Sequence, residues 1–290
     1  MARTALVTGA YGYLGSLIRA RLEEAGWTTT ALARTPRSGD SAARWSLDAP
    51  PPEELLDSCD ALVHCAYDFE PRRREDVWAV NVAGSVQLLD AATKAGVAQI
   101  LVVSSMSAYE GTGQIYGQAK LAIERATLDA GGIAIRPGLV WGDDPRGMAG
   151  TLRRLTKLPV LPDLGPGARQ FPVHEDDLAR TVVEILASPG WTSEVFGVAQ
   201  PRGVDFRSVL LALADDDGRR HHFVRVPWQA LYGVLAIAEK LGVSPVRADS
   251  ILGLVRPAPD VPPSVAFPDL GTKMRELGPA TEALRSGRAA

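Results

Sequence analysis

The chain has 290 residues, of which 46% are hydrophobic and 22% are charged, the ordinary balance of a globular protein. Its formal net charge of −3 gives no overall attraction to nucleic acid or to an anionic membrane, and we expect neither as a partner. The first predicted strand begins almost at Met1, which leaves no room for a signal peptide, and the apolar stretch at residues 231–238 is too short to cross a bilayer, so we expect a cytoplasmic protein.

The first half of the chain alternates short apolar runs with stretches of helical spacing. The apolar runs predict buried parallel strands at residues 4–7, 29–33, 61–64, 100–103 and 133–135. Helical spacing at residues 14–25 and 77–95 predicts helices, each followed by a glycine that suits a helix C-terminus. This alternation predicts an α/β fold, a Rossmann-type doubly wound parallel sheet.

The second half differs in composition and is rich in proline and glycine at residues 157–172. Helices are predicted at residues 175–186, 206–214, 228–242 and 271–278. We interpret this part as a smaller C-terminal α+β domain for the substrate. The predicted dinucleotide-binding domain covers residues 1–147 and about 170–190, and the predicted substrate domain covers residues 148–169 and 191–290.

The stretch "VTGAYGYLG" places Gly9, Gly12 and Gly15 between the first predicted strand and the first predicted helix. At such a turn glycine lets the backbone approach a diphosphate closely, and the helix N-terminus offers unpaired N–H groups and a partial positive charge. The spacing differs by one residue from the commoner dinucleotide fingerprint, and glycine also serves ordinary tight turns. Because a strand and a helix flank the glycines, we predict a dinucleotide-binding turn.

The end of the second predicted strand bears on the choice of dinucleotide. NAD-binding folds usually place an acidic residue there for the ribose 2′-hydroxyl, whereas an arginine accommodates the 2′-phosphate of NADP. Arg34 stands at this point, Arg37 follows, and no acidic residue competes. We therefore predict NADP in preference to NAD, although two arginines of a solvated loop would give the same pattern. Asp48 is either an acceptor for the adenine amino group or an ordinary turn residue.

Tyr116 and Lys120 lie one helical turn apart in "YGQAK". A free tyrosine ionises near pH 10, and an ammonium held close to it favours the phenolate. Tyr116 is thereby a candidate to exchange the proton of an alcohol/ketone pair while hydride moves to or from a nicotinamide. A motif this short also arises by chance.

Three serines, Ser104, Ser105 and Ser107, follow the strand predicted at residues 100–103. A hydroxyl at the carboxyl end of a parallel strand faces the ligand crevice and suits a hydrogen bond to a substrate carbonyl. Each of the three would equally suit ordinary loop capping, so position alone does not choose among them.

These motifs occur in a fixed order over about the first 190 residues. They are "VTGAYGYLG", "VHCAY", "NVAGSVQLLDAA", "VVSSMSAY", "YGQAK", "IRPGLVWG" and "VHEDDLA". Together they resemble the extended short-chain dehydrogenase/reductase family, in its NAD-dependent epimerase/dehydratase branch. Each motif is weakly specific, whereas seven of them in sequence order are strongly specific.

The resemblance implies roles for individual residues. Tyr116 matches the general acid/base, and Lys120 matches the residue that lowers the phenol pKa and holds the nicotinamide ribose. Ser105 matches the serine that polarises the carbonyl, and Asn81 matches the helix asparagine that supports the active-site backbone. The implied cofactor-binding residues are Gly9, Tyr11, Gly12, Tyr13, Leu14, Gly15, Arg34, Asp48, Cys65, Ala66, Tyr116, Lys120 and Pro137.

Two features depart from the family pattern. Tyr116 follows Ser105 by only eleven positions, where family members commonly have a longer loop, so the usual sugar-recognising residues do not carry over. Ser105 is selected by alignment on Tyr109, and alignment on the next glycine would select Met106 instead. "GPGARQFPVHEDD" resembles the segment where sugar-nucleotide enzymes place an arginine on the substrate diphosphate, and it is one residue longer than usual. This segment nominates Arg169 for substrate binding. Ser107, after the strand predicted at residues 100–103, is a second candidate for substrate binding.

We therefore expect an NADP(H)-dependent oxidoreductase that interconverts a ketone and a secondary alcohol on a small polar substrate, such as a nucleotide-linked sugar. One alternative is an epimerase or dehydratase that retains NAD(P) and uses it catalytically, and another is a non-catalytic NADP-binding sensor or assembly protein. Family habit implies a homodimer through the helices at residues 77–95 and 115–128. Cys59 and Cys65 form no metal-ligand pattern, and residues 215–222 suit a solvated turn, so we predict no metal site.

Overall fold

The computed structural model describes residues 2–165, 167–188, 190–214, 221–241, 248–256, 258 and 260–277. Its strands are β1 (Thr4–Thr8), β2 (Thr28–Ala33), β3 (Ala42–Arg44), β4 (Ala61–His64), β5 (Gln99–Val103), β6 (Ile133–Pro137), β7 (Leu139–Trp141), β8 (Val160–Asp163), β9 (Arg169–Gln170), β10 (Pro172–His174), β11 (Val195–Val198), β12 (Val204–Asp205) and β13 (His222–Arg225). Its α-helices are α1 (Tyr13–Glu24), α2 (Glu53–Leu56), α3 (Arg74–Val77), α4 (Ala83–Lys94), α5 (Ile115–Asp129), α6 (Gly147–Leu155), α7 (Glu175–Ala187), α8 (Phe206–Leu213), α9 (Trp228–Lys240) and α10 (Ser250–Val255).

The chain divides into two compact units. The first unit comprises residues 1–137, 175–198 and 262–270, and the second comprises residues 138–174, 199–261 and 271–290. The predicted division starts the second domain at residue 148, ten residues later than the structure does. The difference arises because β7 leaves the large sheet and pairs in parallel with β10, with Leu139 opposite Pro172.

A seven-stranded sheet forms the centre of the first unit, in the order β11-β6-β5-β4-β1-β2-β3, and all its strand pairs are parallel. Its central strands are apolar runs that are buried along almost their whole length, as strands covered by helices on both faces must be. Leu6 and Leu62 of the sheet share one buried cluster with Leu88 and Leu89 of α4. The predicted Rossmann-type doubly wound sheet is confirmed, with each predicted strand displaced by at most two residues.

In the part of the second unit that the structure describes, three small sheets, β10-β7, β12-β9 and β13-β8, are packed with helices α6, α8, α9 and α10. Its core includes Trp141, Leu161, Phe206, Leu210 and Leu254, all buried. This is the small α+β part that the sequence predicts. In the described residues, no helix is long and apolar enough to span a membrane.

Two predicted helices differ from the structure. The helix predicted at residues 77–95 is interrupted by a π-helical turn, Trp78–Val82, between α3 and α4. The helix predicted at residues 271–278 is a short 3₁₀ turn, Leu270–Lys273. The backbone N–H of Leu277 donates instead to the side-chain oxygen of Gln200, at 2.8 Å, so a tertiary hydrogen bond replaces the helical one.

Candidate active site

The glycine-rich turn joins β1 to α1 in a conformation that only glycine suits. Gly9 has a φ of +61°, and the N–H of Gly12 donates to its carbonyl oxygen at 2.8 Å. A Cβ at Gly9 would lie 3.0 Å from the backbone of Ala66, and a Cβ at Gly15 would overlap the carbonyl oxygen of Gly9. The predicted cofactor-binding residue Tyr11 lies within this turn. Tyr13, Leu14 and Gly15 form the first turn of α1.

A buried hydrogen-bond network that the sequence analysis missed fixes the backbone beside this turn. The Thr8 hydroxyl accepts the N–H groups of Cys65 and Ala66, both at 3.0 Å. Its own proton must then be donated to Nδ1 of His64 at 2.8 Å, which leaves Nε2–H to donate to Ser85 at 2.9 Å. Burial, aided by the charge of Lys120, lowers the pKa of His64 to about 3, so this ring is neutral at physiological pH.

Charged and aromatic side chains surround the turn on the side of β2. The Arg37 guanidinium stacks over the Tyr11 ring at 4.2 Å, and the Tyr11 hydroxyl donates to Asp40 at 2.8 Å. The side chain of Arg34 is 68% exposed and lies 3.8 Å from a carboxylate oxygen of Asp68. The structure thus places both arginines of the predicted 2′-phosphate site on exposed backbone after β2.

Asp48, the other residue predicted for the adenosine end, lies in the turn that follows β3. Its side chain accepts a hydrogen bond from the Ser46 hydroxyl at 2.5 Å. That hydrogen bond lowers the pKa of the Asp48 carboxyl, and the charge of Arg34 lowers it further. Asp48 is therefore an exposed carboxylate with one oxygen already engaged.

Tyr116 and Ser105 form the centre of the predicted catalytic group. Tyr116 lies in the first turn of α5, and Ser105 follows β5 and hydrogen-bonds the phenol. Burial raises the pKa of Tyr116 to about 12, and the hydrogen bond from Ser105 only partly opposes this shift. The phenol is therefore protonated at neutral pH.

The three serines after β5 have different partners. The buried Ser104 hydroxyl donates to Glu124 at 2.5 Å, so it is directed into the core. The Ser105 hydroxyl accepts the N–H of Ser107 at 3.1 Å in addition to its bond with Tyr116. Of the three, the structure brings Ser105 to the phenol.

Lys120 lies one turn beyond Tyr116 on α5 and is buried. Its ammonium donates to the carbonyl oxygen of Val103 at 2.8 Å and lies 5.0 Å from the centre of the Tyr67 ring. The ammonium is bonded to Val103 in this geometry, and burial dominates the pKa of Tyr116, so the lowering of the phenol pKa by Lys120 stays a prediction. Burial also lowers the pKa of Lys120 to about 8, while the charge of Glu124 opposes that shift.

Beneath Lys120 lies a buried ion pair that no sequence motif indicated. Arg136 donates to both oxygens of Glu124, at 2.8 and 2.6 Å, and Glu124 also accepts from Ser104. Glu124 follows Lys120 by four positions on α5, so it places a negative charge below the ammonium. The sequence signal that points to this pair is the spacing of Glu124, four residues after Lys120 on the same predicted helix.

Asn81 acts through the backbone of the loop after β4. Its amide oxygen accepts the N–H of Asp68 at 2.7 Å, and its amide nitrogen donates to the carbonyl oxygen of Asp68 at 3.0 Å. Asn81 is completely buried and lies in the π-helical turn. These bonds suit the supporting role that the family resemblance implies for Asn81, and that role stays a prediction.

Pro137 ends β6 and ties the serine segment to that strand. Its carbonyl oxygen accepts the N–H of Met106 at 3.1 Å, while the N–H of Ser104 donates to Ile135 at 2.7 Å.

Cys65 and Ala66 directly follow β4, next to Gly9. Burial raises the pKa of the Cys65 thiol to about 12, so the thiol is protonated.

Arg169 belongs to the second unit, where β9 pairs with β12. It lines a cavity of about 710 Å³ together with two further arginines, Arg202 and Arg256, and with the ring of Phe171. Asp260 is an acidic residue of the same lining. The cavity thus carries an excess of positive charge.

The described residues contain no group of three or more histidine, cysteine, aspartate or glutamate side chains that could hold a metal ion. The run at residues 215–222, interpreted above as a solvated turn, lies outside the described residues at positions 215–220. His222 is described, and it is an exposed residue of β13.

Several relatives were found by sequence. An uncharacterized protein of Mycobacterium tuberculosis is 30% identical over 214 residues, which cover 71% of this chain but only 23% of that protein. This chain therefore spans about a quarter of the length of the mycobacterial relatives it matches. A ceramide reductase of Caulobacter vibrioides is 25% identical over 236 residues, covering 76% of this chain and 73% of the reductase.

Solved structures share the fold at lower identity. The terminal R domain of the myxalamid biosynthetic pathway has a TM-score of 0.74 at 17% identity, covering 99% of this chain and 90% of that domain. The UDP-glucose 4-epimerase of Thermus thermophilus, in complex with NAD, has a TM-score of 0.60 at 21% identity, covering 87% of this chain and 97% of the epimerase.

A family model provides the broadest assignment. The model described as the NAD dependent epimerase/dehydratase family matches residues 5–196. That range contains the glycine turn, Ser105, Tyr116 and Lys120. The chain belongs to the NAD-dependent epimerase/dehydratase family, whose members are oxidoreductases and epimerases of the extended short-chain dehydrogenase/reductase type.

Proposed function

We propose that this chain is an NADP(H)-dependent reductase that converts a ketone into a secondary alcohol, with Tyr116 as the proton donor. The observation that carries the proposal is the protonated Tyr116 phenol, hydrogen-bonded to Ser105 at the carboxyl end of the sheet. Ligands of open parallel sheets bind at that end of the strands.

The residues of the glycine turn fit a dinucleotide. The missing Cβ atoms of Gly9 and Gly15 bring the backbone close to the N-terminus of α1, where a diphosphate would meet unpaired N–H groups. The N-terminus of this helix lacks a side-chain cap, since Gly12 occupies the capping position. When bound, the nicotinamide group supplies the hydride.

The side chains of the protein act on the carbonyl oxygen of the substrate. The Ser105 hydroxyl donates a hydrogen bond to that oxygen and polarises the carbonyl. Negative charge that develops on this oxygen during reduction would be neutralised by the Tyr116 proton, which passes to it. An alkoxide is a stronger base than a phenolate, so a phenol with a raised pKa still transfers its proton. The Lys120 ammonium favours the phenolate that remains, which solvent reprotonates.

Arg34 and Arg37 support NADP in preference to NAD. Arg34 is exposed, and its contacts with Asp68 and Glu70 are long, at 3.8 and 4.0 Å. Exposed ion pairs of this kind are weak, so the Arg34 guanidinium is free to exchange them for a phosphate. The Arg37 guanidinium is held over Tyr11, a residue of the cofactor turn.

The direction of the reaction is supported by the name of one relative. A relative with 25% identity is named a ceramide reductase, and reduction is the chemistry in that name.

The test measures NADPH oxidation by the purified chain against ketones and against a 4-keto sugar nucleotide, with alcohol formation quantified in the same sample. The proposal predicts one NADPH consumed for each alcohol formed. NADPH binding without any turnover across the panel would contradict it and favour a sensor.

A second candidate is an epimerase or dehydratase of a nucleotide-linked sugar. The observation that favours it is the cavity lined by Arg169, Arg202 and Arg256, whose charge suits a diphosphate. This candidate requires tightly retained NAD(P) and conversion of the sugar with no net NADPH consumption. The same assay therefore separates the two candidates.

A further inference from the structure

Three aromatic rings meet at the predicted proton donor. Tyr67 contacts Tyr116 edge to face, with ring centres 4.9 Å apart, and Phe69 stacks on Tyr116 at 5.8 Å with an interplanar angle of 26°. Tyr67 and Phe69 also contact each other at 4.9 Å. We refer to Tyr67 and Phe69 as the aromatic wall.

The aromatic wall is held in place through its backbone. Both of its residues flank Asp68, whose N–H and C=O groups are bonded to the Asn81 amide. Asn81 is completely buried, so this loop is anchored to the helical layer at its midpoint. The two rings are therefore preorganised beside Tyr116.

The side chains of this loop separate by polarity. The carboxylates of Asp68 and Glu70 lie toward Arg34, at 3.8 and 4.0 Å, whereas the alternate residues Tyr67 and Phe69 lie against Tyr116. The loop thus presents hydrocarbon to the proton donor and charge to the predicted cofactor side. The Phe69 side chain is 64% exposed to water. Covering it with an apolar group of a ligand would therefore be favourable.

We propose that the aromatic wall binds an aryl or alkyl substituent of the ketone, so that the substrate is apolar next to its carbonyl group. The inference rests on the proposed function, because it takes Tyr116 as the donor to that carbonyl. A substituent on the carbonyl carbon must lie within a few ångströms of the Tyr116 hydroxyl, and the centres of the two rings lie 4.9 and 5.8 Å from the centre of the Tyr116 ring. Offset stacking and hydrophobic burial then favour an aryl or alkyl group over a polyhydroxylated one.

Phe69 is the better position for a test. The Tyr67 ring also contacts the Lys120 ammonium, so its truncation would disturb the lysine as well as the wall. Phe69 is exposed, so Phe69→Ala removes no core contact, and Phe69→Leu keeps an apolar side chain. Val265, exposed by 85% in the same unit, provides the matched control Val265→Ala.

The experiment compares acetophenone and 2-octanone with the polar ketone dihydroxyacetone. We expect wild type to favour acetophenone over dihydroxyacetone in kcat/KM, and Phe69→Ala to lower that ratio by about tenfold. Phe69→Leu should retain most of the ratio, and Val265→Ala should retain all of it. A wild-type preference for dihydroxyacetone, or a ratio unchanged by Phe69→Ala, would overturn the proposal.

A binding measurement separates the wall from the proposed function. Saturation-transfer NMR would follow 1-phenylethanol on the protein in the presence of NADP⁺, with no turnover required. If the protein reduces no ketone but binds 1-phenylethanol, and Phe69→Ala weakens that binding, the result would support the proposed role of the aromatic wall and contradict the proposed reductase function. Turnover that proceeds without any dependence on Phe69 would support the reductase and contradict the wall.

Discussion

The glycine turn and the group around Tyr116 lie at the same end of one sheet but are built in opposite ways. The turn works through missing side chains, since a Cβ at Gly15 would overlap the Gly9 carbonyl oxygen. The Tyr116 group works through crowded side chains, which raise the phenol pKa to about 12 and lower the Lys120 pKa to about 8. One region leaves room beside the backbone, and in the other region burial shifts the pKa values of two side chains.

The two regions are joined by the Thr8 and His64 hydrogen bonds. Thr8 ends β1, directly before the turn, and His64 ends β4, directly before the loop that leads to Tyr67. We therefore expect substitutions to fall into three groups. Those in the turn affect NADPH binding alone, those around Tyr116 affect proton transfer alone, and those at His64 affect stability.

The largest expected effect on stability is acid destabilisation through His64. Unfolded histidine binds a proton near pH 6.5, whereas burial holds the folded pKa at about 3, so the unfolded state gains protons first as the pH falls. The contribution of neutral His64 to the free energy of unfolding is complete above pH 6.5 and is lost as the pH falls toward 3. At about 1.4 kcal/mol per pH unit, the free energy of unfolding falls by about 2 kcal/mol between pH 6.5 and 5 through this group. Urea unfolding at a series of pH values measures it.

His64→Gln removes the titrating ring, and we expect a shallower pH dependence in that window whatever the variant's stability at pH 7. His222→Gln changes an exposed histidine and is the matched control. An unchanged slope in His64→Gln would show that His64 is not the group responsible.

The second prediction disrupts the turn. Gly15→Ala adds a Cβ where the Gly9 carbonyl oxygen lies, so the backbone must move away from the diphosphate position. We expect NADPH affinity to fall by about a hundredfold or more, corresponding to about 3 kcal/mol. Fluorescence titration of NADPH provides the measurement. Gly233→Ala is the control, because its Cβ would meet nothing within 4 Å on α9, and unaltered NADPH affinity in Gly15→Ala would disprove the steric argument.

The third prediction changes proton affinity without touching the turn. The Glu124 charge raises the pKa of Lys120, so Glu124→Gln should lower it from about 8. The ammonium is then lost at lower pH, and the alkaline limb of the kcat/KM profile for reduction should move to lower pH by about one unit. Glu24→Gln, in an exposed pair with Arg21, is the control. A limb that stays in place in Glu124→Gln would exclude Lys120 as its origin.

The smallest expected effect concerns the choice of cofactor. Arg34→Ala removes a guanidinium from the predicted 2′-phosphate site, and we expect the preference for NADPH over NADH to fall by about tenfold. The ratio of dissociation constants measures this preference. Arg21→Ala removes an arginine of α1 outside that site and should leave the ratio unchanged. A constant ratio in Arg34→Ala would refute the assignment of this residue.

Local patterns made the large sheet and the turn predictable from the sequence. The apolar runs of β1, β4 and β5 and the spacing of the three glycines are complete within a few residues, so no distant partner is needed to interpret them. Strands as short as β7, β9 and β12 carry too few residues for a period and form only with distant partners. The predicted start of the second domain was late for that reason.

Several contacts of the site could not be predicted from the sequence. Motif order led to Tyr116, Lys120, Ser105 and Asn81, and the structure brings Ser105 to the phenol. The direction of the Lys120 ammonium depends on Val103 and Tyr67, which no spacing rule connects to it. The aromatic wall lies in a loop with no regular period, and the Thr8–His64 bond joins residues 56 positions apart.

The central claim is that the Tyr116 phenol donates the proton in ketone reduction. Its most direct test is a stopped-flow, single-turnover measurement of NADPH oxidation with the ketone that wild type reduces fastest, in wild type and in Tyr116→Phe. The account predicts that Tyr116→Phe binds NADPH as tightly as wild type while the rate of NADPH oxidation falls by about 10² to 10⁴. Equal rates in the two proteins would contradict it.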